Sequence, residues 1–233
     1  MALIRRFWAD AWVQPAGGGF RVLLDGRPVR TPGRAVVEVP AEALAQAIAA
    51  EWADAPERTD PRRLPLTAIA NAAIDRVAPD PAAVAGALAA YAEADLTCHR
   101  AEAPPSLRAR QEAAWEPPLR WVESALGVAF VRGEGLMPVT QPAATLAAVR
   151  CHLEGLGPFR LAALDPLTRL SGSVVLALAV AGQALAPAAA FAAAQLDETY
   201  QAERWGEDAE AARWRADRQA AFLAAARFLE LLA

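Results

Sequence analysis

The sequence has no lysine: its 23 basic side chains are all arginine. That excludes Schiff-base chemistry, a lysine general base and the lysine of a phosphate-binding loop. Histidine, cysteine, tyrosine and methionine occur only twice each. Two cysteines, Cys98 and Cys151, are too few for a disulfide framework and fit a reducing compartment. Each histidine follows a cysteine, as Cys98-His99 and Cys151-His152. Neighbours on a helix point about 100° apart, so neither pair chelates readily, and the spacing is not that of a zinc finger. No metal is expected. A surplus of positive charge is missing too, since the formal net charge is -4. Nothing in that balance favours a nucleic-acid partner.

Catalytic motifs are equally scarce. Ser173 in SGS precedes an apolar helix, where serine serves as a start signal, and the flanking residues do not make a nucleophile elbow. No two carboxylates stand out as a hydrolytic acid pair. The reading is therefore no catalytic residue and no cofactor. The opening MALIRRFWAD lacks the apolar core of a signal peptide. Ser173 to Ala194 is apolar enough to test as a membrane span, but it is largely alanine, is broken by Gly182, Gln183 and Pro187, and has no basic flank. A buried helical hairpin is the expectation, with no membrane insertion.

What the chain does have is material for a core: 233 residues, 55% hydrophobic and 21% charged. Phe7 to Gln14, Phe20 to Leu24, Arg27 to Thr31 and Ala35 to Val39 read as short strands of an antiparallel meander. Asp25-Gly26 between apolar runs is a strong hairpin signal, because both turn residues need positive φ. Pro40 opens a helix in which Leu44, Ile48 and Trp52 recur every four residues, placing Trp52 in the core or a domain seam. Leu66, Ile69, Ala70, Ala73, Ile74 and Val77 form an apolar helix face. Thr67, Asn71 and Asp75 make a separate polar row that suits either a partner contact or a tie to the neighbouring sheet.

Asp80-Pro81 marks the expected boundary between a mixed domain, residues 1–80, and an all-helical domain, residues 81–233. Helices are predicted over 81–96, 105–114, 117–126, 142–154, 158–169, 173–182, 187–204 and 207–232, with a short strand at Val128 to Arg132. The fold class is α+β: a small N-terminal α/β domain with a β-meander, then an all-α domain.

Near the end, Leu196 to Asp217 carries Asp197, Glu198, Glu203, Glu207, Asp208 and Glu210. On one continuous helix, Glu203, Glu207, Glu210, Trp214 and Asp217 share a stripe. Trp205, Ala209, Ala212, Ala216 and Leu223 fall opposite, on the core face. Like charges three and four apart destabilise a helix, so the stripe is a candidate contact surface. Gly206 is the complication: it can end one helix and let Glu207 or Asp208 start another, where acids suit the positive end of the dipole.

Six strings occur in order: LLDGRPVRTP (Leu23 to Pro32), AEWADA (Ala50 to Ala55), LPLTAIANAAIDRV (Leu64 to Val77), ADLTCHRAEAP (Ala94 to Pro104), GSVVLALAV (Gly172 to Val180) and LDETYQAERWGEDAEA (Leu196 to Ala211). As a set they resemble the assembly chaperone of the ATP synthase catalytic head that acts on its α subunit. The resemblance implies a non-enzymatic protein, monomeric when free, that holds the new α subunit until the β subunit arrives. The alternatives are a permanent scaffold subunit or a small hydrolase. It also implies a bacterial, cytoplasmic member, with relatives in the mitochondrial matrix. The family's acidic-aromatic signature matches at Asp197, Glu198, Tyr200, Gln201, Trp205 and Gly206, and its Glu-Trp pair falls on Glu51 and Trp52. Asp197, Glu198, Glu203, Glu207, Glu210 and Trp214 are the expected partner-binding residues. Trp52, Glu51, Trp205, Gly206, Asn71 and Asp75 are expected to position that surface.

Overall fold

The computed structural model describes residues 4–135, 137–206 and 208–233. Its secondary structure is α+β, with a small antiparallel sheet region near the N-terminus and helices after it. Packing divides the chain into two compact units. One takes residues up to Pro81 with Gly157–Ala163 and Arg227–Ala233; the other takes Ala82–Leu156 and Leu164–Ala226.

In the first unit, β1 (Ile4–Arg5) and β2 (Ala11–Ala16) lead into β3 (Gly19–Leu24), β4 (Arg27–Pro28) and β5 (Glu38–Val39). β3 is central: β2, β4 and β5 all pair with it, antiparallel. Asp25 and Gly26 have φ of 48° and 80°, the conformation that the hairpin signal requires. The helix after the sheet is α1 (Glu42–Ala53), and its buried face is Leu44, Ala45, Ile48, Ala49 and Trp52. β6 (Arg58–Thr59), which periodicity did not reveal, pairs with β1.

Helix α2 (Pro65–Ala72) passes directly into a wider π turn over Ala73–Val77. Glu51 at the end of α1 takes the place of an N-cap for α2. Its carboxylate accepts the Leu66 and Thr67 amides at 2.6 and 2.9 Å and the Thr67 hydroxyl at 2.8 Å. Burial pushes the Glu51 carboxyl up, more than these three donors pull it down. Glu51→Ala is expected to cost about 1–2 kcal/mol, as loss of a cap does. A urea midpoint matching the parent's would show that α2 needs no such partner.

The second unit begins with α3 (Pro81–Ala89), a 3₁₀ turn over Ala90–Ala94, and β7 (His99–Arg100). α4 (Pro105–Leu126) follows and runs unbroken through Pro117 and Pro118, where the sequence reading had split it. Two amide donors are lost there, at a cost that burial of Trp115, Pro118, Leu119 and Val122 offsets. The strand expected at Val128 to Arg132 is not formed; the pairing lies one residue on, as β8 (Gly133–Glu134) parallel to β7. The remaining helices are α5 (Ala143–Glu154), α6 (Pro158–Ser171), α7 (Val174–Ala181), α8 (Pro187–Ala194), α9 (Leu196–Trp205) and α10 (Ala209–Glu230). Ser173 caps α7 as expected, its hydroxyl accepting from the Leu176 amide at 3.0 Å. α7 and α8 form the buried hairpin, and α4 packs on both through Trp115, whose indole N–H donates to the Ala193 carbonyl at 2.8 Å. Among the described residues no helix is long and apolar enough to cross a membrane.

Candidate functional site

The acidic segment folds as two helices and not one. α9 ends at Trp205, and Gly206 takes φ 88° and ψ 160°, a backbone that side chains other than glycine rarely adopt. Asp208 then starts α10, its carboxylate accepting from the Glu210 and Ala211 amides at 3.2 and 3.3 Å. The 100° advance per residue cannot be carried across this break. The continuous stripe from Glu203 to Asp217 is therefore corrected to two shorter faces. Glu207, expected on it, lies outside the described residues.

The break also overturns the expected core face. Trp205 is 78% exposed, and Ala209 and Ala216 are exposed as well. α10 is anchored further along, by Phe222, Ala225, Ala226, Phe228 and Leu229. Trp214 is 68% exposed. Trp205 and Trp214 are thus both uncovered, and Glu198, Glu203, Asp208 and Glu210 along α9 and the start of α10 are exposed too.

α9 is oriented by α4 through Ser106, Arg110 and Gln111, which the sequence analysis does not single out. Tyr200 is buried, and its hydroxyl lies 2.6 Å from Ser106 Oγ. The Arg204 and Arg110 guanidinium groups lie over its ring, 4.4 and 5.2 Å from the centroid. Arg110 also reaches Glu203, with Nη1 2.7 Å from Oε2. Asp197 accepts from Gln111 Nε2 at 2.8 Å, and the buried Gln111 accepts the Ala101 amide through its other end. Asp197 therefore holds α9 on α4, whereas Glu198 makes no side-chain bond to the described residues. The one signal for this in the sequence is the i,i+4 spacing of Ser106 and Arg110, which puts both on one face of α4.

The positioning residues divide in the same way. Trp52 is 8% exposed and stacks edge-on against Trp8 at 5.0 Å, while the Trp8 indole donates to the Trp52 carbonyl at 3.0 Å. Asp75 accepts from the Thr31 hydroxyl and the Gly33 amide at 2.7 and 2.8 Å. For Asp75 the polar row is thus a tie to the sheet region, and Thr67 in the same row is held by Glu51. The carboxamide oxygen of Asn71 is buried without a hydrogen-bond partner among the described residues.

A separate hollow of about 410 Å³ beside α4 is lined by arginines and glutamates. Its charges are already matched: Arg132 with Glu116 and Glu123, Arg108 with Glu112 and Glu134, and Arg100 and Arg120 with Glu116. Such mutual pairing leaves little field to attract a charged ligand. No cluster of three or more metal-binding side chains occurs among the described residues.

A family profile described as ATP12 chaperone protein matches residues 5–123. The chain belongs to the ATP12 chaperone family. The crystal structure of Atp12 from Paracoccus denitrificans is 42% identical, superimposes with a TM-score of 0.93, and is covered over 98% of both chains. The Atu1473 protein of Agrobacterium tumefaciens is 41% identical with a TM-score of 0.94, over 99% of this chain and 87% of that one. Protein atp12, mitochondrial, of Schizosaccharomyces pombe is 28% identical over 213 residues, 86% of this chain and 73% of its own. The ATP12 family is the one the six sequence strings resemble. The α+β architecture, with a small antiparallel sheet region before the helices, is the ATP12 fold.

Proposed function

We propose that the protein is a non-enzymatic assembly chaperone that holds the unassembled α subunit of the ATP synthase catalytic head in a bacterial cytoplasm. The reading is supported by membership of the ATP12 family. It rests most directly on one observation: two tryptophans, one ending α9 and one in α10, stand uncovered in a stretch of chain rich in exposed acids. An α subunit awaiting its partner exposes a surface meant for the β subunit, and such area invites aggregation. Indoles supply affinity at an interface, and rim carboxylates orient the encounter and reject wrong partners. Glu198, Glu203, Glu210, Trp205 and Trp214 would meet the client, while Asp197 and Tyr200 hold α9 on α4, and Glu51, Trp52 and Asp75 hold the first unit together. A hold weaker than the final α–β contact lets the β subunit displace the chaperone by mass action.

Co-expression with isolated α subunit, followed by addition of β subunit, tests this. The α subunit should remain soluble with the chaperone and leave it when β is added. Retention after β is added would make the protein a stable subunit. Glu198→Lys with Glu210→Lys should lower the thermal midpoint only slightly, because both side chains are exposed and each interacts only with the positive end of its helix, and should weaken capture at least about tenfold by like-charge repulsion. Full capture by that soluble double variant would remove the acids from the mechanism.

A further inference from the structure

We infer that Arg110 is a built-in stand-in for an arginine of the client: it occupies Glu203 and the ring of Tyr200 in the free protein and is displaced on binding. The inference rests on the reading that Glu203 contacts the client, and it names the chemistry of the client group as a guanidinium. Arg110 touches the Glu203 carboxylate through Nη1 alone, at 2.7 Å, although a guanidinium carries five donors in a planar fork. Both side chains of the pair are half exposed, at 50% and 49%. A single-contact pair in solvent contributes little to stability and is readily exchanged. Glu203 Oε1 makes no bond to the described residues, so an incoming arginine can bind both oxygens side by side, the stronger geometry. As Arg110 leaves, it vacates its place 5.2 Å from the Tyr200 ring centroid, and the planar cation of the client can take that place while Arg204 keeps its own at 4.4 Å. An ammonium, compact and strongly hydrated, would match neither the two oxygens nor the ring as well. Internal competition of this kind keeps the hold on the client weak, as later release requires.

The opposite role for Arg110 is to pre-orient Glu203, and the two roles differ in sign. The test is the dissociation constant of the full chain for isolated α subunit, measured for the parent, Glu203→Gln, Arg110→Gln and the double variant. Stand-in behaviour predicts that Glu203→Gln weakens binding. Arg110→Gln should tighten it about two- to fivefold, the range that an exposed ion pair spans. The double variant should bind at most slightly tighter than Glu203→Gln alone, since only the place at the Tyr200 ring is then freed. Arg110→Gln binding no tighter than the parent, with Glu203→Gln still weakened, overturns the stand-in and leaves the client surface intact. Tightening that persists in full in the Glu203→Gln background marks a general charge effect and also overturns it. Unchanged binding by Glu203→Gln removes Glu203 from the client surface, and the inference with it. If Arg110→Gln melts early, Arg110→Lys serves instead: it keeps the charge, loses the fork and the stack, and should shift binding in the same direction by less.

Discussion

Trp52→Arg should lower the stability of the protein by about 4 kcal/mol or more, the sum of a lost aromatic core residue and a buried unpaired charge. The reasons lie in its surroundings. The ring is one of five buried side chains along α1, with Leu44, Ala45, Ile48 and Ala49. It packs edge-to-face on Trp8, and the Trp8 indole hydrogen bond ends on the carbonyl of Trp52 itself. An arginine at this position would need acceptors for five donors where the surroundings are mostly apolar. Domains are stable by only about 5–15 kcal/mol, so a loss of that size removes a large share. The checking measurement is the thermal or urea unfolding midpoint. Trp52→Phe is the informative companion: the Trp52 indole N–H is buried without an acceptor among the described residues, so the smaller ring removes an orphan donor along with some packing. Its cost should be well under half that of the arginine variant. A parental melting curve for Trp52→Arg would show that the ring is not part of the core.

Asp95→Ala should be comparably damaging in the second unit, by about 3–5 kcal/mol, because four donors lose their acceptor in the interior. Asp95 is fully buried, and its carboxylate accepts from the Thr97 amide and hydroxyl at 2.9 and 2.7 Å, the Ser173 hydroxyl at 2.7 Å and the Val175 amide at 3.0 Å. One side chain thereby fastens the turn at Leu96–Cys98 to the start of α7, nearly eighty residues later in the chain. Ser173 could not replace it, since its own oxygen already caps the Leu176 amide. Burial pushes the Asp95 carboxyl above its ordinary value of 3.8, against the pull of the four hydrogen bonds. The folded protein then binds this proton more tightly than the unfolded chain does. That contribution is full below the unfolded value and fades as pH rises through the folded one. The deficit of Asp95→Ala relative to the parent should therefore widen as pH falls from 7. A deficit under 1 kcal/mol, or one that narrows on acidification, would contradict this account of the site.

Much of the fold was legible because it is decided over a few residues. Asp25-Gly26 sets its hairpin through the φ angles that those two residues tolerate. Leu44, Ile48 and Trp52 declare the buried face of α1 by spacing alone, and Ser173 announces the start of α7 through its own hydroxyl. The family could be read from six strings because a set of short segments in a fixed order is legible without the tertiary structure. The Pro117-Pro118 pair misled, because the local cost of two missing donors is real but smaller than the burial that α4 gains along its length.

What the sequence determined by itself was the kind of chain this is: the helices and turns, the acidic-aromatic segment at 197–214, and the family. Tertiary structure alone decided which faces are covered. Gly206 permits a break, but only the tertiary structure shows that Trp205 is left in solvent while Phe222 on α10 is buried. Only the docking of α4 commits Asp197 to Gln111 and Glu203 to Arg110, across 86 and 93 residues of chain. Return of Gly157–Ala163 and Arg227–Ala233 to the first unit is a choice of the same order. Periodicity and turn chemistry act over a few residues, whereas the partner of a given face is settled by the competition of all faces for burial.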